Sequence, residues 1–275
     1  MRPLGPGALV APGARVVAHL HRSWDLDVYD AWCERRACRV VVKTPRPDRR
    51  GDRRTVRALL AEGRLLRRLS HPAIVRAYDV HEGPRPAVVM ETLGGETLDH
   101  LIGRRAGRRL PGGQVAVVAL QLGGALRYLH GAGVLHLDVK PSNVIAEAGR
   151  AKLVDLSIAR PPGRVAPGLG TWCNMAPEQA RGGEVGTAAD VWGLGTVLYE
   201  LATAQPPFGD DADGAEYPQL HGRAPAVGTT RRLPRVLAAV IDGCLEQDPA
   251  ARPALDDVLV ALAAEVAAPA PGSRG

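Results

Sequence analysis

The sequence predicts an α+β fold with two lobes: a small lobe rich in strands with one key helix, and a larger, mainly helical lobe. Short apolar segments that end in polar turns crowd into the first third of the chain. The remainder carries longer apolar segments of helical length. With 275 residues the chain is long enough for two lobes, each with a substantial core.

The small lobe begins with three predicted strands, at 16–20, 26–32 and 38–43. The third is β-branched and ends on Lys43. A helix is predicted at about 55–69, where Leu59, Glu62 and Leu66 share one face at spacings of three and four. An acid on the buried face of a helix is costly unless it is paired. We therefore predict an ion pair between Lys43 and Glu62.

A second hairpin is predicted at 74–80 and 87–90, and Gly94 and Gly95 after it indicate a hinge. The predicted helices of the large lobe lie at 115–130, 188–202, 233–245 and 255–266. The predicted organisation is a flexible N-terminus (1–13), the small lobe (14–92), the large lobe (93–266) and a disordered tail (267–275).

Composition and charge exclude several classes of protein. The net charge is +6, but the arginines are spread through an Ala-, Gly- and Pro-rich chain, which favours a solvated basic face over a specific nucleic-acid site. The four cysteines form no Cys-x-x-Cys pair, so neither a zinc site nor a disulfide framework is indicated, and reduced thiols fit a cytoplasmic protein. No apolar run approaches the ~18 residues of a membrane span.

Lysine is rare in this chain. Of 35 basic residues only Lys43, Lys140 and Lys152 are lysines. A compact ammonium can press against one phosphate oxygen as a point charge, which a planar guanidinium cannot do. A lysine that persists in such an arginine-rich chain is therefore a candidate functional residue.

The segment 136–143 places Asp138, Lys140 and Asn143 at fixed offsets in one loop. Asp138 followed five residues later by Asn143 matches the protein-kinase catalytic loop. Further segments follow in the family's order: 152–157 with Asp155, 170–171, 176–179, 190–195 and 248–253. The chain thus resembles a protein kinase over roughly residues 20 to 265, most closely the bacterial serine/threonine kinases of the eukaryotic (Hanks) type, and a protein-kinase-like fold is implied.

The resemblance implies an ATP- and Mg²⁺-dependent transfer of the γ-phosphate to protein hydroxyl groups. Asp138 would orient the hydroxyl and accept its proton, and Lys140 would neutralise the transferring phosphoryl group. The metal ligands would be Asn143 and Asp155. Lys43, fixed by Glu62, would hold the ATP phosphates.

Other positions also correspond to the family's pattern. Met90, Glu91 and Leu93 match the segment that lines the adenine pocket, although such apolar residues can equally be plain core. Thr171 resembles the threonine that contacts the catalytic Asp and Lys in serine/threonine kinases. Glu178 and Arg252 resemble the buried ion pair that anchors the substrate-binding segment.

The segment expected to cover the ATP phosphates departs from the family's sequence pattern. His21, Ser23 and Leu26 stand where Gly-x-Gly-x-x-Gly is expected, and glycine is needed there for backbone N–H groups to approach the phosphates. Weakening one or two such bonds, at about 1.5–3 kcal/mol each, predicts impairment more than abolition.

The segment after Asp155 departs as well. Leu137 replaces an arginine that reads activation-loop phosphorylation in many kinases, and Ser157 is the only hydroxyl residue in 156–170. Switching by activation-loop phosphorylation is therefore predicted to be absent. Leu156-Ser157 replaces Phe-Gly, and Asn174 replaces a tyrosine beside the substrate site.

The sequence favours the first of three functions: an active protein serine/threonine kinase, a weakly active or inactive kinase fold that serves as a scaffold, and a small-molecule phosphotransferase of the aminoglycoside-kinase type. The lost glycines favour the second, but it is opposed by the intact charged and metal-binding positions Lys43, Glu62, Asp138, Asn143 and Asp155. Lys140 and the segment 171–178 argue against the third. Expected partners are ATP and an unidentified protein substrate, without specific nucleic acid or a membrane span; neither the substrate nor the oligomeric state follows from the sequence.

Overall fold

The computed structural model describes residues 2–104, 109–209 and 217–267. The chain forms two compact units. The first unit consists of residues 1–94 with 155–157, and the second consists of residues 95–154 with 158–275. The first is a sheet with one long helix and the second is mainly helical. The predicted α+β class is confirmed.

The first unit is built on a six-stranded antiparallel sheet with strand order β1-β2-β3-β4-β6-β5. Its elements are β1 (Leu9–Ala11), β2 (Ala14–Arg22), β3 (Leu26–Cys33), β4 (Cys38–Pro45), α1 (Arg53–Arg68), β5 (Ala77–His81) and β6 (Ala87–Glu91). One face of the sheet forms a core of apolar side chains that includes Val16, Tyr29, Val40 and Val89. Cys33 and Cys38 lie opposite each other in the β3–β4 pair, and both are free thiols.

The N-terminal segment differs from the flexible terminus that the sequence predicts. Leu9–Ala11 forms strand β1, which pairs with β2, and Val10 and Ala11 are buried in the sheet core. Gly13, with φ +69°, allows the tight turn between the two strands. The apolar side chains therefore complete the core. At the other end, the last helix extends to Ala267, and the rest of the predicted disordered tail lies outside the described residues.

Helix α1 starts where Asp52 caps it. The Asp52 carboxylate accepts hydrogen bonds from the Arg54 amide (2.9 Å) and the Thr55 hydroxyl (3.0 Å). Leu59 and Leu66 are buried on the side that packs against β4, β5 and β6. Gly63 permits that close approach, because a Cβ at this position would lie 2.5 Å from a Val88 methyl group.

The β2–β3 hairpin, which lacks the expected glycines, is held by a buried carboxylate. Asp27 is fully buried and accepts two hydrogen bonds from Arg22, at 2.7 and 2.9 Å, and one from the Tyr29 hydroxyl at 3.2 Å. The His19 ring lies 3.0 Å from the same carboxylate. Burial opposes the charge of Asp27, but the hydrogen bonds from Arg22 and His19 hold the pKa of that carboxyl below its usual range.

A carboxyl group with a lowered pKa stabilises the fold at neutral pH and loses that contribution as pH falls through the folded-state pKa. We therefore expect Asp27→Asn to lower the free energy of unfolding by about 1.5–3 kcal/mol near pH 7, because hydrogen bonds to a charged group are lost. The difference from wild type should shrink as pH falls from about 5 towards 3. Urea unfolding across that range measures it. A deficit that stays constant would contradict the role of Asp27.

The second unit contains two small antiparallel sheets, β7-β8-β9 and β10-β11, and most of the helices. Its strands are β7 (Glu96–Thr97), β8 (Val144–Glu147), β9 (Arg150–Leu153), β10 (Gly163–Val165) and β11 (Gly183–Val185). Its α-helices are α2 (Leu98–Arg104), α3 (Gly112–Gly131), α4 (Pro177–Arg181), α5 (Thr187–Thr203), α6 (Val227–Thr230), α7 (Arg235–Cys244) and α8 (Leu255–Ala267).

Helix α5 is the centre of the second unit. Its residues from Ala189 to Leu198 are all buried, and it contacts α3 and α7. A Cβ at Gly193 would lie 2.8 Å from the Val139 side chain, so glycine lets this helix approach the loop that contains Asp138. All four long helices predicted for the large lobe are present as α3, α5, α7 and α8. Within the described parts of the chain, no helix is long and apolar enough to cross a membrane.

Candidate functional site

Lys43, Glu62 and Asp155 form a charge cluster in the first unit, in which Lys43 and Glu62 are buried and Asp155 is partly exposed. The Lys43 ammonium lies 3.0 and 2.9 Å from the two Glu62 carboxylate oxygens and 3.0 Å from Oδ1 of Asp155. The amide of Leu156 donates to Glu62 at 3.1 Å, and the amide of Ser157 donates to Asp155 at 3.2 Å. The predicted Lys43–Glu62 pair is therefore present, and Asp155 joins it.

The local folds explain this placement. Lys43 lies near the end of β4, and Glu62 projects from the buried face of α1 beside Gly63. Asp155 has φ +64°, which is strained for a residue with a Cβ. Its hydrogen bonds with Lys43 and Ser157 hold that conformation. Strained backbone of this kind is concentrated at functional sites.

The charges in this cluster shift one another's pKa values. Burial works against the charge of Lys43, but the carboxylates of Glu62 and Asp155 outweigh burial and hold the pKa of the ammonium above its ordinary value. Burial raises the pKa of Glu62. Burial also opposes the charge of Asp155, but the Lys43 ammonium holds the pKa of that carboxyl well below its usual range. Lys43 and Asp155 are therefore both charged at neutral pH.

The second unit contains a separate cluster around Asp138. Thr171 donates its hydroxyl hydrogen to Asp138 Oδ1 at 2.6 Å, and the Lys140 ammonium lies 2.9 Å from Oδ2. The same ammonium donates to the Thr171 hydroxyl at 2.5 Å. The Asn143 amide nitrogen donates to Asp138 Oδ2 and to its backbone carbonyl, both at 2.9 Å. The structure thus brings together four of the predicted site residues.

Asn143 and Asp155 were predicted as metal ligands, and each has an oxygen to offer. The Asn143 amide nitrogen faces Asp138, which leaves its side-chain oxygen directed elsewhere. Lys43 and the Ser157 amide both bond Oδ1 of Asp155. Carboxylate and amide oxygens are the ligands that Mg²⁺ prefers. The donor chemistry therefore fits Mg²⁺.

Asp190 and Gln179 support the loop around Asp138, a role that was predicted for neither residue. The buried Asp190 carboxylate accepts from the amides of His136 (2.8 Å) and Leu137 (2.7 Å). Gln179 donates to the carbonyl of Leu137 at 2.8 Å. These bonds hold Leu137 at φ +65°, a costly conformation for a branched side chain. Asp190 carried a sequence signal, as an acid within an apolar helix.

Glu178 and Arg252 form the buried ion pair that the sequence predicts. Two guanidinium nitrogens of Arg252 bond the two Glu178 oxygens, at 2.7 and 2.9 Å. Arg252 also donates to the carbonyls of Ala188 and Glu246, and its guanidinium lies over the Trp192 ring at 5.0 Å. The pair thus joins the start of α4 to α5 and to the segment before α8.

The remaining predicted site residues lie at the end of β6. Met90 is buried and pairs with Val41 of β4, two residues before Lys43. Glu91 is tied to Arg76, whose amide donates to the Glu91 carboxylate at 2.9 Å. Leu93 is partly buried, just beyond the strand. The sheet therefore fixes the position of this segment. The contact of these three residues with a nucleotide stays a prediction.

The segment 158–185 is held by backbone pairing. Leu135 and Arg160 form an isolated bridge, and β10 pairs with β11. The Gln179 side chain donates to the carbonyl of Leu169 at 2.7 Å. Nothing in these contacts depends on a phosphorylated side chain.

The sequence matches the protein kinase domain family over residues 27–261. Curated relatives share this similarity. A probable serine/threonine-protein kinase of Streptomyces coelicolor is 34% identical over 246 residues, which cover 84% of this chain and 36% of the relative. PkaA of the same organism, a serine/threonine-protein kinase, is 36% identical over 232 residues (80% and 41%). PknB of Mycobacterium tuberculosis, also a serine/threonine-protein kinase, is 37% identical over 186 residues (63% and 29%).

The chain therefore belongs to the protein kinase domain family. This confirms the predicted resemblance to bacterial serine/threonine kinases. The chain spans 29–41% of the length of these relatives. Members of this family use ATP and a divalent metal to phosphorylate proteins.

Proposed function

We propose that the chain is an ATP- and Mg²⁺-dependent protein serine/threonine kinase. The observation that carries this proposal is the Asp138 cluster, in which one carboxylate is bonded by Lys140, Asn143 and Thr171. Phosphoryl transfer needs a carboxylate that orients the acceptor hydroxyl, a cation on the phosphates and metal ligands. Each of these is present among the residues described above.

Asp138 is proposed to orient a Ser or Thr hydroxyl of the substrate and to accept its proton. Lys140 stabilises the negative charge of the transferring group, and Thr171 fixes both side chains by its hydrogen bonds. These three residues are the proposed catalytic residues. Since Asp138 accepts three side-chain hydrogen bonds, its position is set before substrate binds.

Lys43 is proposed to bind the α- and β-phosphates of ATP, held in place by Glu62. Asn143 and Asp155 are the proposed Mg²⁺ ligands. Mg²⁺ held there would supply positive charge to the phosphate oxygens. We further propose that Met90, Glu91 and Leu93 contact the adenine, since they lie at the end of β6, the strand that pairs with the strand of Lys43.

The test is transfer of label from γ-labelled ATP, with magnesium, to a generic acceptor protein, followed by phosphoamino-acid analysis. We expect label on serine or threonine from the wild type and none from Lys43→Met. Label that persists in Lys43→Met would contradict the proposed role of Lys43. Label on tyrosine alone would contradict the proposed specificity.

A kinase fold that binds nucleotide without transferring phosphate is the second candidate. The β2–β3 hairpin supports it, because this hairpin lacks glycine and is fixed by Arg22 and Asp27. Wild-type protein that binds ATP but transfers no label would favour this scaffold over the enzyme.

We also propose the division predicted from the sequence into a small lobe at 14–92 and a large lobe at 93–266, with strand β1 added to the sheet of the small lobe. A cytoplasmic location is proposed because all four cysteines are free, which fits a reducing compartment. Specific nucleic-acid binding is not part of the proposal.

Activity is expected to be independent of phosphorylation in the segment after Asp155. Backbone pairing of β10 with β11 orders this segment, and Ser157 is the only hydroxyl residue in 156–170. Treatment with a phosphatase, followed by its removal, should change the rate less than about twofold, because no charge-assisted contact to a phosphate is lost. A large loss that returned on rephosphorylation of Ser157 would contradict this expectation.

A further inference from the structure

A basic groove lies on the exposed side of helix α1, away from the Lys43 cluster. Its volume is about 420 Å³, within the range of ligand pockets. Four arginines line it, with two apolar residues between them: Arg50, Arg53, Arg57 and Arg64, with Val56 and Leu60. No acidic side chain lines the groove.

Most of this positive charge is uncompensated. Arg64 pairs with Glu82 at 2.5 Å, and both side chains are more than half exposed. Arg50, Arg53 and Arg57 form no ion pair with any residue in 2–104, 109–209 or 217–267. The Nε atom of Arg50 is buried and has no hydrogen-bond partner among the same residues. Leaving a buried donor unpaired is costly, so this N–H group calls for an acceptor that a ligand can supply.

The helix itself adds to the positive potential. The first turn of α1 contains Arg53 and Arg54 and no acidic residue. The partial charge of a helix N-terminus is positive, and the Asp52 carboxylate that caps α1 compensates part of it. The groove therefore combines two features that favour an anion: its arginines and the unpaired Nε group of Arg50.

We propose that this groove binds a phosphorylated peptide segment. Guanidinium groups bind phosphate with paired, charge-assisted hydrogen bonds, and arginine clusters are a common means of phosphopeptide recognition. Val56 and Leu60 provide an apolar surface for the methyl group of a phosphothreonine or for a neighbouring apolar side chain. No aromatic residue lines the groove, whereas binding of single-stranded nucleic acid relies on stacking. This proposal does not depend on catalytic activity.

The test is fluorescence anisotropy of the full chain with a labelled alanine- and leucine-based peptide that carries one central phosphothreonine. We expect saturable binding, at least about tenfold tighter than binding of the unphosphorylated peptide, since each charge-assisted hydrogen bond contributes a factor of about ten or more. The double variant Arg50→Ala/Arg57→Ala should also weaken binding of the phosphorylated peptide at least tenfold. The matched control, Arg150→Ala/Arg235→Ala, removes two exposed arginines elsewhere and should change binding less than about twofold.

A second double variant, Arg53→Gln/Arg57→Gln, changes only exposed side chains of α1 and introduces glutamine, a good helix former. It can be tested if the first double variant does not fold. It too should weaken binding. Equal loss in the groove and control variants would overturn the proposal, as would equal binding of the unphosphorylated peptide. If inorganic phosphate at the same concentration displaced the peptide, the groove would bind the free anion and not a peptide segment. That result would overturn the proposal. Tighter binding of an oligothymidylate at the groove would overturn it in favour of nucleic acid.

Discussion

Asp138→Asn is expected to lower the rate of phosphoryl transfer by about 10²–10⁴-fold, the usual contribution of a positioned general base. The carboxylate accepts hydrogen bonds from Thr171, Asn143 and Lys140. An asparagine offers only one acceptor oxygen, and its NH₂ group would face at least one of these donors. The variant therefore loses both the base and its orientation.

Nucleotide affinity should change little in Asp138→Asn, because Lys43, Glu62 and Asp155 are untouched. ATP binding by calorimetry and single-turnover transfer, measured on the same preparation, separate the two effects. The control Asp99→Asn removes an exposed carboxylate from α2 and should leave both unchanged. Transfer by Asp138→Asn at the wild-type rate would contradict the proposed role of Asp138.

Arg252→Met is expected to lower the free energy of unfolding by about 3–5 kcal/mol, because it leaves the partner of a buried ion pair uncompensated. The Arg252 side chain is fully buried, and the Glu178 side chain is only 14% exposed. The same substitution removes donors to the carbonyls of Ala188 and Glu246. The anchoring of α4 should therefore be lost together with the pair.

The control is Arg127→Met, which breaks the exposed pair between Arg127 and Asp256, with side chains 64% and 74% exposed. Exposed pairs contribute about 0–1 kcal/mol, so this change should be small. Urea unfolding of both variants provides the comparison. Similar losses in the two would show that the Glu178–Arg252 pair does not stabilise the fold beyond an ordinary surface contact.

Features set by local patterns were predictable from the sequence. The third strand ended on a lysine and the following helix placed Glu62 on its buried face, so the Lys43–Glu62 pair followed from the cost of an unpaired buried acid. The helices α3 and α5 of the second unit were predictable as buried helices, because their sequences are apolar nearly all round.

The partners of buried polar residues such as Asp190 were not predictable, because they come from distant parts of the chain. Asp190 accepts hydrogen bonds from the amides of His136 and Leu137, which lie more than 50 residues away along the chain. The role of Gln179 likewise follows from the position of the Leu137 carbonyl, which only the folded chain defines. Strand β1 was missed because a short segment between glycines has little strand signal of its own.

The β2–β3 hairpin replaces backbone freedom with side-chain contacts. The family uses glycines at this position, whereas this chain fixes the hairpin through Asp27 with Arg22 and His19. A hairpin fixed in this way loses less conformational entropy on binding nucleotide, but it offers fewer backbone N–H groups to the phosphates. We therefore expect ATP affinity to depend mainly on Lys43 and the metal ligands.

The most direct test of the account measures whether the Lys43 cluster and the Asp138 cluster serve one phosphotransfer reaction. The initial rate of label transfer from ATP to protein serine and threonine is compared in the wild type, Lys43→Met, Asp138→Asn and the double variant. We predict transfer by the wild type and loss in each single variant, with no further loss in the double variant. A wild type that binds ATP but transfers no phosphate, or single variants that retain transfer, would contradict the account.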